Sequence, residues 1–148
     1  MADLQAALSE AVKLNWSIAQ FLNFSTYTDY DDLCGLDIDF ADGEQLLLWD
    51  ELRRITDKLA DVQEWISYLT RPVSETSILR KGINGKYRTA HGHFYDCGSN
   101  IEALVTDGYH DVPYWTRTSV EHDGEDYYLV GFKGIPMQGL KVRVRTVS

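Results

Sequence analysis

Cysteine is scarce in this sequence: Cys34 and Cys97 stand alone and far apart. Two such residues build no disulfide framework, and no Cys-x-x-Cys pair exists to start a zinc ribbon or a thiol redox site. Long apolar runs are missing as well, and none approaches the ~18–20 residues that a membrane-spanning helix needs. The opening Met1-Ala-Asp-Leu carries neither the basic nor the apolar segment of a secretory signal. A cytoplasmic protein without a membrane partner is therefore expected. Positive charge is short too, but unevenly. Residues 1–72 hold 14 acids and 5 bases, whereas residues 73–148 hold 9 of each, so the net charge of −9 arises entirely in the first part.

What is present begins with periodicity. Leu48, Leu52, Ile55, Leu59, Val62, Ile66 and Leu69 alternate steps of four and three, which places all seven on one stripe of an α-helix. The helix is predicted over residues 43–70, ending before Pro72 because the residue preceding proline avoids helical geometry. Asp42 stands at the N-cap with Gln45 three residues on, a capping-box spacing. Trp49 and Trp65 flank the stripe and are expected to cover the junction with the β part. A first helix is predicted over residues 2–23, with Leu4, Leu8, Ala11, Ile18 and Leu22 in the same rhythm and Asn15 as its polar interruption. The two seams are expected to face each other antiparallel. They can close within one chain or between two, so a homodimer through the helices is a further expectation.

Between the helices, residues 24–42 are too long for a simple turn. Leu36, Ile38 and Phe40 alternate with Asp37 and Asp39, which suggests a short strand or extended segment with one face on the core. After residue 73 the texture becomes β. Residues 72–77 read as a linker and Asn84-Gly85 as a type I′ turn. Strands are predicted at 86–89, 94–96, 101–106, 115–122, 127–132 and 140–146, between glycine-rich turns. The fold class is α+β: residues 1–72 form an acidic helical hairpin, and residues 73–148 a small antiparallel β-sheet or SH3-like barrel.

The runs Cys97-Gly-Ser-Asn-Ile-Glu-Ala-Leu-Val, Trp115-Thr-Arg-Thr-Ser-Val-Glu-His, Tyr127-Tyr-Leu-Val-Gly and Gly139-Leu-Lys-Val-Arg-Val-Arg resemble the bacterial domain of unknown function 5348 family. The resemblance covers residues 86–145 and implies a small β domain in a phage, plasmid or transposon setting. It implies no catalytic residues.

His91-x-His93-x3-Cys97 is the best metal candidate but lacks a fourth ligand, so no metal is assigned. Asp37-x-Asp39-x-x-Asp42-Gly43 fails the calcium-loop pattern, with alanine at position 5 and leucine at position 12. Cys97-Gly-Ser99 beside His91 or His122 is ordinary turn chemistry, and no enzyme or cofactor is expected. The sharpest feature is the run from Asp29 to Glu51, with nine acids and no base. Asp29, Tyr30, Asp31, Asp32, Asp37, Asp39, Asp42 and Glu44 are the partner-binding candidates, with aromatic side chains interleaved. Carboxylates answering Lys and Arg, with aromatic anchors, suit a basic protein surface. The function expected is thus an acidic inhibitor of nucleic-acid-handling host defence machinery, anti-CRISPR-like, with a CRISPR effector nuclease as the instance in view. The alternative is an accessory protein that binds nucleic acid through Arg117, Lys141, Arg143 and Arg145, the last three projecting from one strand face.

Overall fold

The computed structural model describes residues 3–24, 33 and 36–146. The chain divides into two compact units, Met1–Thr70 and Arg71–Ser148. Two helices come first and a small antiparallel sheet follows, an α+β architecture.

In the first unit, α1 spans Leu4–Leu22 and α2 spans Gly43–Thr70. Asp3 caps α1 through its carboxylate, which accepts from the Ala6 N–H at 2.7 Å. Asp42 caps α2, accepting from the Glu44 N–H at 3.0 Å and from the Gln45 amide at 3.3 Å. The Gln45 carbonyl oxygen accepts instead from the Asp39 N–H, 2.9 Å away, so the reciprocal arm of the box reaches one turn further back.

The helices pack antiparallel. Leu4, Leu8 and Ala11 lie beside Leu69 at the end of α2, and Ile18, Leu22 and Ile66 form the buried seam with Ala11, Val12, Leu59 and Ala60 against it. Asn15, the polar interruption in α1, donates to the Ser67 hydroxyl at 3.2 Å, a cross-helix bond that fixes register.

The seven-residue stripe of α2 is buried only in part. Ile66 is buried, but Leu48, Ile55, Val62 and Leu69 are exposed, and Thr56 takes the fully buried place instead. The seam is rotated toward Thr56, Leu59, Ala60 and Gln63 because one partner helix covers only one side of a broad apolar stripe. Thr56 is tolerated there because its hydroxyl donates to the Arg53 carbonyl at 2.6 Å.

Residues 36–39 form no strand. Leu36 and Ile38 are half-buried around exposed Asp37 as expected, but Asp39 ends the extended run. Its carboxylate accepts from the Ala41 N–H and its carbonyl from the Asp42 N–H, a turn that feeds directly into the α2 cap.

The second unit has seven strands: β1 (Val73–Ile78), β2 (Arg80–Lys81), β3 (Tyr87–Arg88), β4 (Asn100–Val105), β5 (Tyr114–His122), β6 (Tyr127–Leu129) and β7 (Lys141–Arg145). Five make an open antiparallel sheet in the order β1-β7-β4-β5-β6, and β2 pairs with β3 separately. The stretch read as a linker is thus a strand: β1 runs against β7 from Val73↔Arg145 to Ile78↔Lys141, with a bulge near Val73 and Glu75. Its alternation was masked because the inward-facing positions are the polar Glu75 and Ser77, while Val73 and Ile78 are exposed at the sheet edge. Predicted strand 94–96 reduces to a single bridge, Arg88↔Phe94.

The turn at Asn84-Gly85 is also of another type. Only Gly85 takes positive φ, at 80°, and its N–H donates to the Gly82 carbonyl. That is a type I turn closed by a left-handed glycine, since type I′ needs positive φ at Asn84 as well. The core lies on one face of the sheet: Leu79, Tyr87, Tyr95, Ile101, Ala103, Val105, Val120, Leu129, Met137, Leu140 and Val142.

Candidate partner-binding surfaces

The acidic surface is built around the start of α2. Asp37, Asp39, Glu44, Asp50 and Glu51 are exposed, and Asp42 is half-buried. Asp39 and Asp42 serve the turn and the cap at the positive end of the helix. Asp29, Tyr30, Asp31 and Asp32 lie outside the described residues. Next to this surface, Phe40 meets Trp49 edge-to-face with centroids 5.7 Å apart, and the Arg53 guanidinium lies 4.8 Å over the other ring system of the pair, Trp49. The Trp49 indole N–H donates to the Leu33 carbonyl at 3.3 Å. Phe40 nevertheless remains 64% exposed, so an aromatic side chain stands among carboxylates. Trp65 is exposed on α2.

The basic strand face has a different character. Lys141, Arg143 and Arg145 alternate with Val142 and Val144 as predicted, yet β7 is an inner strand, flanked by β1 and β4. Directly opposite on β4 stands Glu102, paired in register with both Arg143 and Arg117. The Glu102 carboxylate is almost fully buried. It accepts from Arg143 Nη2 at 2.8 Å and from Arg145 through Nε at 2.9 Å and Nη2 at 3.0 Å. Arg145 also donates from Nη1 to the Arg71 carbonyl, and Arg143 lies 4.4 Å over the Trp115 ring. A bidentate, buried pair of this geometry is structural: its charges hold strands together. Lys141 is exposed.

The sequence signal for Glu102 was a lone acid inside the apolar run Ile101–Val105. Its significance depended on knowing which strand lay beside it.

The metal and catalytic candidates are dispersed among other tasks. The His91 ring nitrogen sits 3.7 Å from Glu75, His93 packs edge-on against Tyr95, and Cys97 is exposed. Among the described residues, no group of three or more His, Cys, Asp or Glu side chains converges as a metal site would. Glu75 itself is a strand-to-loop brace. Burial pushes its carboxyl up, but the His91 N–H and the Thr89 hydroxyl outweigh that and leave it below the ordinary value.

A second polar cluster escaped sequence reasoning. In the loop before β5, Asp107 accepts from the Tyr114 hydroxyl at 2.6 Å and contacts the His110 ring at 2.9 Å. The Tyr114 hydrogen bond first, then His110, hold the Asp107 carboxyl well below the usual carboxylate range. The His110 ring also stacks on Tyr114 at 4.3 Å, so the three side chains stiffen the loop between β4 and β5.

Among the described residues, no helix is long and apolar enough to cross a membrane. No curated protein and no solved structure matches the chain. Over residues 76–144, from within β1 to near the end of β7, the sequence matches the family of the Domain of unknown function (DUF5348), a likeness confined to the β unit that leaves both helices outside it.

Proposed function

We propose that this is a non-enzymatic binding protein whose acidic helical unit docks on a basic groove of a nucleic-acid-handling protein. The observation that carries the reading is the charge pattern: nine acids and no base between Asp29 and Glu51, set against a neutral second half. Exposed Asp37, Glu44, Asp50 and Glu51, with Phe40 projecting among them, support it. Such a surface repels phosphate backbones and competes with them for the same Lys and Arg side chains.

The biological setting in this proposal is a mobile element in the cytoplasm, and the class of target is host defence. A CRISPR effector nuclease is the instance whose channel chemistry fits, because cations there line the path of a heteroduplex backbone. Binding is tested by pull-down against a panel of purified defence nucleases across a salt titration. Retention should fall as salt rises, and reversal of Asp37, Asp39 and Glu44 to lysine should abolish it. Retention unchanged by those reversals refutes the proposal.

The nucleic-acid alternative has weaker support, because Arg143 and Arg145 are committed to Glu102. A gel shift with single- and double-stranded probes at moderate salt separates the two readings. Retarded probe favours the accessory role. In this reading the protein also acts as a homodimer through its helices.

A further inference from the structure

The α1–α2 seam uses one side of α2 and leaves an apolar row outside it. Leu48, Ile55, Val62 and Leu69 recur every seven residues with exposures of 61, 46, 38 and 48%. A seven-residue repeat keeps these four side chains on one line of the helix, along which a second long helix can pack. Leu47 and Trp65, 57 and 63% exposed, border the row. At one end Leu69 joins Leu4, Ala7, Leu8 and Ala11 in an apolar groove between the helices, and at the other Leu47 and Leu48 line a depression beside Glu44 and Glu51.

We infer that this row is a homodimer interface, with α2 of one copy packed antiparallel against α2 of a second. Three arguments select a second copy as the occupant. The first is area. The six side chains named expose on the order of 600 Å² per copy, so two copies bury about 1,200 Å², the lower bound of stable interfaces.

The second is charge complementarity. With Ile55 facing Ile55 of the second copy, the seven-residue spacing sets Leu48 against Val62 and Glu51 against Lys58. That register forms two interchain ion pairs within the interface, on the line between the Leu48–Leu69 row and the Leu47 and Trp65 side chains, and Arg54, 3.4 Å from Glu51 in the same helix, extends each pair into a short network. Shifting the pairing by one heptad would bring the two Lys58 side chains together, so charge disfavours it.

The third is long-range repulsion. Each helical unit is strongly acidic, but its acids concentrate at the start of α2. With Ile55 opposite Ile55, the two starts of α2 at Gly43 lie about 36 Å apart along the axis, a few Debye lengths, so antiparallel pairing separates Asp42 and Glu44 from their counterparts. Parallel pairing would superpose them. The assembly therefore presents two acidic surfaces at opposite ends, a bivalent arrangement whether or not the partner proposed above is correct.

Light scattering and sedimentation equilibrium on the full chain test this. The expected mass is about twice 16.9 kDa at tens of micromolar protein. Ile55→Asp, at an exposed position, should give a monomer with unchanged helical circular dichroism. Glu51→Lys should raise the dissociation constant about tenfold or more, and adding Lys58→Glu should return it to near the wild-type value. A wild type that stays monomeric overturns the inference. So does an Ile55→Asp protein that remains a dimer, which would place the interface elsewhere. A monomer that gains mass only when a defence nuclease is added assigns the row to that partner and likewise overturns it.

Discussion

The two units handle polarity in opposite ways. Among the described residues, the helical unit buries the hydrophobic side chains Ile18, Leu22, Leu33 and Ile66 and leaves leucine, isoleucine and tryptophan side chains facing outward. The β unit buries eleven hydrophobic residues in one cluster and in addition encloses Glu102, Ser77 and Thr89. One unit thus has apolar groups outside, and the other has charge inside. Exposed apolar rows belong to surfaces awaiting cover, whereas a buried acid between two arginines belongs to a fold that specifies its own strand register. Stability should therefore reside mainly in the second unit and binding in the first.

The strongest way to break that comparison is Glu102→Ala. Arg143 and Arg145 would keep their positions beside a removed counter-charge, a loss of about 3–5 kcal/mol when a buried pair is broken. Urea unfolding followed by tryptophan fluorescence measures it. A loss below about 1 kcal/mol would mean that these guanidinium groups behave as surface charges.

Next in size, Leu129→Ala, at a fully buried position in the β core, should cost about 2–5 kcal/mol. Ile66→Ala in the helical seam should fall at the bottom of that range, because fewer side chains surround it. Equal losses would contradict the division between units.

A smaller effect is expected from acid. Backbone N–H groups of Asp126 and Glu125 hold Asp123 down to about 2, from an ordinary 3.8, and Asp107 is likewise depressed by Tyr114 and His110. Folded-state values below the unfolded ones mean that the contribution is complete above pH ~4 and is lost as pH falls toward ~2. Thermal melts of the Asp123→Asn protein should show a shallower decline across that window than the wild type. At the small end, Asp42→Ala should remove about 1 kcal/mol by uncapping α2, seen as frayed helical signal while the β unit keeps its melting behaviour.

Much of this molecule follows from local pattern. The boundaries of α2 could be read from Asp42 and Pro72 because caps and prolines act within one turn of the chain. The alternation of Lys141, Arg143 and Arg145 with Val142 and Val144 could be read because side chains on a strand change face at every residue. The acidic imbalance needed only counting. Those features are intrinsic to short stretches, and the sequence by itself determined them.

Tertiary structure decided the rest. Whether Val73–Ile78 is a linker or a strand depends on β7, far along the chain, offering its backbone groups to that edge. Which side of the α2 stripe is covered depends on where α1 lies, since Thr56 displaces Leu48, Ile55 and Val62 from the seam without any change in periodicity. The meaning of Glu102 depends on β7 being its neighbour. Periodicity records which residues share a face, but only the pairing of distant segments determines what that face meets.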